Sequence, residues 1–193
     1  RTLGRILRSG NQLPRDFVIV DYPAYAWRGL SIDIVRHFFG ADQLRVIVDL
    51  AAGVGLNTLH LHLSDDQGWR IEVPEYPELV AESSATAVDG DPGGFISDAD
   101  FAELMDSADS GGVAVGPEVD VPGHTNAAKH AVVGLNSSAT APEAYTGIEV
   151  GFSTLEVAAP ETDAFLDAVA RTLAGKSHGA VHIGGDECLV TPT

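Results

Sequence analysis

Apolar residues alternate along this chain between two kinds of spacing. Short runs that end in polar or charged residues predict strands at 27–34, 57–63, 112–119 and 180–183. Between them the spacing turns helical. The stretch 41–53 puts Leu44, Val48 and Ala51 on one face, 97–110 opens on Ser97 as an N-cap and carries Phe101, Leu104 and Met105, and 160–174 starts at a proline and carries Phe165, Val169 and Leu173. Strands alternating with helices predict a parallel α/β sheet with right-handed crossovers.

Two architectures satisfy that alternation, an open doubly wound sheet and a TIM-type (β/α)8 barrel. No GxGxxG turn or phosphate-binding loop follows any strand, and polar residues gather just after each strand, where a barrel keeps its active site. The barrel is therefore favoured. A barrel takes about 250 residues, so a chain of 193 residues supplies the first four β/α units, strands 1 to 4. Two long segments rich in Pro, Gly, Ser and Ala, 65–96 and 121–159, predict surface loops near a site.

Composition narrows the function. With 45% hydrophobic and 20% charged residues the chain reads as globular, and 11 Lys+Arg against 28 Asp+Glu give a formal charge of -17. Such acidity opposes a nucleic-acid or anionic-membrane partner. Cys188 is the single cysteine, which excludes an intrachain disulfide and CxxC chemistry and reads as a small packed filler. No apolar run is long enough to span a bilayer, and the first ten residues lack a signal-peptide core, although the sequence opens without Met.

Candidate chemistry clusters after the strands. His60 and His62 in LHLHLSDD share a strand face. They fit either a metal pair of a metal-dependent amidohydrolase or a structural filling of the barrel interior. Asp65 and Asp66 follow at once; carboxylates beside Trp69 suit a sugar, whose hydroxyls they accept, while Trp69 itself reads as packing. Glu118 and Asp120 in GPEVDVPGHTNAAKH share a face, and a Pro-Gly turn aims His124 back toward them, so Asp120 and His124 form a candidate pair. Asp186 and Glu187 in VHIGGDE are adjacent, so only a bend at Gly184 and Gly185 brings both to one ligand. In a partly buried site their pKa values would separate, leaving one ionised and one able to donate a proton. Arg36 either pairs with Asp33 or grips vicinal hydroxyls.

Four segments in order, WRGLSIDIVRHFF, LNTLHLHLSDDQGWRIEVPEYPEL, PEVDVPGHTNAA and VHIGGDE, resemble the signature segments of glycoside hydrolase family 20, the β-N-acetylhexosaminidases. The resemblance implies an exo-acting, retaining enzyme that removes terminal β-linked N-acetylglucosamine or N-acetylgalactosamine, without a cofactor or metal. In that family the substrate's own 2-acetamido group is the nucleophile. It implies that Asp186 orients that group, that Glu187 is the acid/base, that Arg36 and Asp65 bind sugar hydroxyls, and that Asp120, His124 and Glu118 support them. The implied partner is an N-acetylhexosamine-terminated glycan or chitooligosaccharide, and the implied location is secreted.

RTLGRIL resembles the last helix of the small α+β domain preceding such a barrel, so residues 1–20 are assigned to that domain or a linker and 21–193 to the partial barrel. Gly55 and Gly116 stand where many relatives carry Lys and an apolar residue. The family's acetamide-binding Tyr and pocket-wall Trp residues belong to later strands. A second reading follows: a catalytically silent, sugar-binding fragment that self-associates through open barrel edges.

Overall fold

The computed structural model describes residues 2–10 and 15–188. A short helix, α1 (Thr2–Arg8), buries none of its side chains and precedes an extended, exposed segment. The sheet then begins with β1 (Gly29–Asp33), followed by α2 (Ala41–Val54) and β2 (Thr58–His62). Next come a two-stranded ribbon, β3 (Ser64–Asp65) with β4 (Gly68–Trp69), and two helices, α3 (Glu78–Ser83) and α4 (Asp98–Gly111). The last elements are β5 (Ala114–Glu118), α5 (Asn126–Ala131) and α6 (Thr162–Gly175).

β1, β2 and β5 pair in parallel in that order. Each new strand is added on the same side of the last, as in a barrel; a doubly wound sheet reverses direction after its first strands. The predicted fourth strand is reduced to one bridge, Glu118 to His182, extended by hydrogen bonds from His182 N to Pro117 O at 3.0 Å and from Val121 N to Ile183 O at 2.9 Å. The three longer predicted helices are present. Ser97 caps α4 as its sequence position foretold, its hydroxyl accepting from Asp100 N at 3.1 Å. Gly55 closes α2 at φ 92°, a left-handed conformation that strains a residue carrying a Cβ.

The core lies between sheet and helices. β2 is buried on both faces, with Leu59 and Leu61 turned toward Leu44 and Val48 of α2 and Phe101 and Leu104 of α4. A second layer under the ribbon packs Trp69 and Tyr76 against Phe165 of α6, ring centroids 5.9 and 5.5 Å apart.

The expectation that 65–96 is a surface loop is corrected: Asp65, Asp66, Gln67, Trp69, Arg70, Ile71 and Val73 are all buried. The reason is Arg70. Its guanidinium is fully buried and donates to the carbonyls of Ile34, Ser84, Gly94, Val35 and Thr86 at 2.6 to 3.1 Å. One side chain thus satisfies backbone acceptors from the loop after β1 and from the segment after α3, letting Pro- and Gly-rich coil fold inward without orphaned carbonyls. Burial lowers its pKa to about 10, which leaves it charged at neutral pH. Lysine has too few donors, in the wrong geometry, to replace it. Arg70→Lys is expected to lower unfolding stability by about 3 kcal/mol or more; a shift in urea midpoint well below that would show these carbonyls are satisfied otherwise.

Candidate functional site

Strand register sets the site. Asp33, His62 and Glu118 are aligned across β1, β2 and β5, and the bridge carries the row on to His182. Side chains at one level of neighbouring parallel strands share a face, so these four converge at the carboxyl ends of the strands. A cleft of about 780 Å³ opens there, lined among others by Arg36, Glu118, Asp120, His124, Asp186 and Glu187.

Asp65 is the centre of the charge network. It is buried, with Oδ2 2.7 Å from Arg36 Nη2 and 3.0 Å from His62 Nε2, and Oδ1 2.9 Å from His124 Nδ1. It is not among the residues lining the cleft; its oxygens are engaged by Arg36, His62 and His124. Arg36 is the group left facing the cleft, tied on its other side to Asp33 Oδ2 at 2.7 Å. Asp33 also accepts from the backbone N–H of Val35 and Arg36, which turns the chain sharply after β1.

His62 and Glu118 extend the network. His62 Nδ1 lies 2.5 Å from Glu118 Oε1, and the other oxygen, Oε2, is reached by His60 Nε2 and, at 2.7 Å, by His182 Nδ1. His60 and His62 thus both turn onto Glu118 and do not face one another as a metal pair. Burial opposes charging of His62, but hydrogen bonds to Asp65 and Glu118 outweigh it and raise its pKa to about 10. The same contacts, with the nearby charge of His60, overcome burial at Glu118 and pull it down to about 2. At His124 the hydrogen bond to Asp65 is the largest influence and raises the pKa to about 9. Asp65 is held far below the usual carboxylate range: His124, His62 and Arg36 together outweigh its burial.

His124 connects this network to the fourth strand. Its Nε2 is 3.3 Å from Glu187 Oε2, ion-pair distance although not aligned as a hydrogen bond. Its backbone is left-handed, φ 54°, which turns the ring back into the cleft after the Pro-Gly turn. The anticipated Asp120–His124 pair is corrected: His124 bonds Asp65, while Asp120 accepts from Gly185 N at 3.0 Å and from its own strand end holds the glycine bend. A Cβ at Gly184 would fall on the Asp120 carboxylate, so glycine is required there. Gly184 (φ 65°), Gly185 (φ 108°) and Glu187 (φ 48°) form the bend that brings Asp186 and Glu187 to one cleft.

Among the described residues nothing packs over the pair, and both carboxylates are exposed. Asp186 nonetheless approaches protein groups, one of its oxygens lying within 4.8 Å of ligand atoms of Asp120 and His124. Cys188 beside them is half-buried.

Asp66, read from the sequence with Asp65 as a carboxylate pair suited to a sugar, is buried, its Oδ1 accepting from Asn126 N at 3.0 Å and from the Ser153 hydroxyl, so it ties the start of α5 to the segment before residue 154. One element of this site carried no sequence signal. His182 joins Glu118 only because the fourth strand pairs there.

Asp65→Asn removes the charge that holds both imidazoliums. His124 and His62 should then titrate nearer the ordinary 6.5, as read from imidazole C–H shifts in an NMR pH series; unchanged titration would remove Asp65 from its central position. The linkage has a definite sign. Because both folded pKa values lie above 6.5, the stabilisation is complete below that pH and is lost as pH rises through about 9 and 10. Asp65→Asn should therefore flatten the decline in stability between pH 7 and 10.

Residues 25–192 match the catalytic domain of glycosyl hydrolase family 20. The chain is 52% identical over 172 residues to a β-N-acetylhexosaminidase of Cellulomonas fimi, covering 89% of this chain and 35% of that protein. It is 39% identical over 177 residues to a β-hexosaminidase of Akkermansia muciniphila, covering 88% of this chain and 36% of the relative. Among solved structures, the N-acetyl-β-hexosaminidase of Streptomyces plicatus in complex with Thio-NAglucal superposes with a TM-score of 0.82 at 46% identity, over 86% of this chain and 33% of that one. The chain thus spans about a third of the length of these relatives. What it contains is the N-terminal part of a TIM-type barrel, and it belongs to glycosyl hydrolase family 20.

Proposed function

We propose that this chain carries the acid/base end of an exo-acting β-N-acetylhexosaminidase site, which cleaves terminal N-acetylglucosamine or N-acetylgalactosamine with retention. The observation that carries the reading is the bend at Gly184 and Gly185, which delivers two adjacent carboxylates to the cleft that Arg36 faces. Neighbouring residues on one strand end cannot flank a glycosidic bond from opposite sides, as a two-carboxylate mechanism needs. They can serve a substrate that supplies its own nucleophile.

In that mechanism the guanidinium of Arg36, fixed between Asp33 and Asp65, donates to ring hydroxyls of the terminal sugar. Asp186 accepts from the acetamide N–H and turns the carbonyl oxygen toward the anomeric carbon. That oxygen attacks, the glycosidic bond breaks, and Glu187 gives its proton to the departing oxygen. Glu187 then takes a proton from the water that opens the cyclised intermediate, restoring the starting state. His124, anchored by Asp65, holds the Glu187 carboxyl through the 3.3 Å contact. Residues 1–20, with the unburied helix α1, fit the end of a preceding domain. The edge of β1, which pairs with no further strand than β2 among the described residues, fits pairing with further strands of the same barrel or with a second copy.

The test uses nitrophenyl β-glycosides. The N-acetylglucosaminide should be cleaved and the glucoside not. Fluorinating the acetamide methyl should slow cleavage by about tenfold or more, because the carbonyl oxygen becomes a poorer nucleophile. Glu187→Gln should cut turnover of substrates with poor leaving groups by roughly 100-fold or more. Equal cleavage of the glucoside, or indifference to fluorination, would overturn the substrate-assisted reading.

A further inference from the structure

We propose that His60, Glu118 and His182 form a binding site for a borderline-soft divalent cation such as Zn²⁺, distinct from the sugar-binding groups. The three residues lie on three neighbouring strands. Their ligand atoms are all within 4.8 Å of one another. His182 Nδ1 is 2.7 Å from Glu118 Oε2, and His60 Nε2 meets that same oxygen. The two rings have centroids 4.9 Å apart at 50°, so their nitrogens converge on one point rather than stacking past it.

The fold holds this convergence. His60 and Glu118 are fixed by the β2–β5 register, and Glu118 is bridged to His182. His62 is left out of the set because both its ring nitrogens are engaged, by Glu118 Oε1 and Asp65, whereas His60 and His182 each have one nitrogen engaged at this point, and His182 Nδ1 must give up the hydrogen bond it accepts from Gly184 N at 3.1 Å to take a cation.

Two imidazoles and one carboxylate suit Zn²⁺ and disfavour Mg²⁺ or Ca²⁺, which prefer all-oxygen ligands. Tetrahedral Zn²⁺ with Zn–N near 2.0–2.1 Å needs ligand atoms about 3.3 Å apart, so the present contacts have only to open slightly. Glu118 and His182 line the cleft, which gives the ion its path and leaves its fourth position to water. Binding requires both imidazoles neutral, so uptake displaces any proton they share with Glu118 and weakens as pH falls.

The test is calorimetric titration of the chelator-stripped chain with ZnCl₂ and, separately, MgCl₂ near pH 7.5. One Zn²⁺ per chain and no Mg²⁺ are expected. His60→Gln and His182→Gln should each weaken Zn²⁺ binding by about tenfold or more, while His37→Gln, an exposed imidazole paired with Asp91, should not. In the unsubstituted chain, which avoids any folding defect of the variants, Zn²⁺ should shift the imidazole NMR signals of His60 and His182 and leave that of His37 in place. Absence of Zn²⁺ uptake, or uptake that moves neither signal, overturns the site. So does binding abolished by Cys188→Ser but not by the histidine variants. No catalytic readout is involved, so failure here leaves the hexosaminidase reading untouched.

Discussion

The site depends on one buried anion. Asp65 sits at the end of the β3–β4 ribbon with a guanidinium and two imidazoles around it, and each of those cations belongs to a different part of the chain. Burying a carboxylate is costly unless it is compensated; here the compensation fixes Arg36 after β1, His62 at the end of β2 and His124 after β5 relative to one another. Positions set by one shared partner move together. A substitution at Asp65 is therefore a change to the whole site even though Asp65 does not line the cleft.

Arg70 is the complement to that arrangement on the side away from the cleft. There the cation is central and its partners are uncharged carbonyls. Both residues come from the single stretch DDQGWR, which explains how six positions organise coil from the loop after β1 through residue 96. The ribbon is too short to be stable by itself; Trp69 beneath it, packed on Phe165, keeps the two charges at their depth.

Much of this was legible in the sequence because it follows from period and polarity. The helical spacing of Leu44, Val48 and Ala51 gave α2 nearly to its ends, and Ser97 marked the start of α4. Polar residues after each strand located the cleft, and the two glycines located the bend. What was not legible is partner choice. Asp120 was the nearer candidate for His124 along the chain, but sequence proximity does not show that the Asp120 carboxylate is engaged by Gly185 N while Asp65 reaches across from the ribbon. Likewise, segment 65–96 has the composition of a surface loop. Its burial depends on five carbonyls converging on one guanidinium, a long-range coincidence with no local pattern.

The bend itself decides how such exposed carboxylates can still be ordered. Asp120 accepts from Gly185 N, and Gly184 leaves the space that its carboxylate fills, so β5 grips the fourth strand just before the acidic pair. Glu187 is then held at its other end by His124, whose orientation comes from Asp65. Two buried carboxylates thus locate two exposed ones, Asp120 through the backbone of Gly185 and Asp65 through His124. Under the proposed mechanism this division suits the chemistry. The residues that meet the acetamide and the leaving oxygen must change partners and protonation during each turnover, whereas the groups that place them need never leave the protein's own hydrogen bonds.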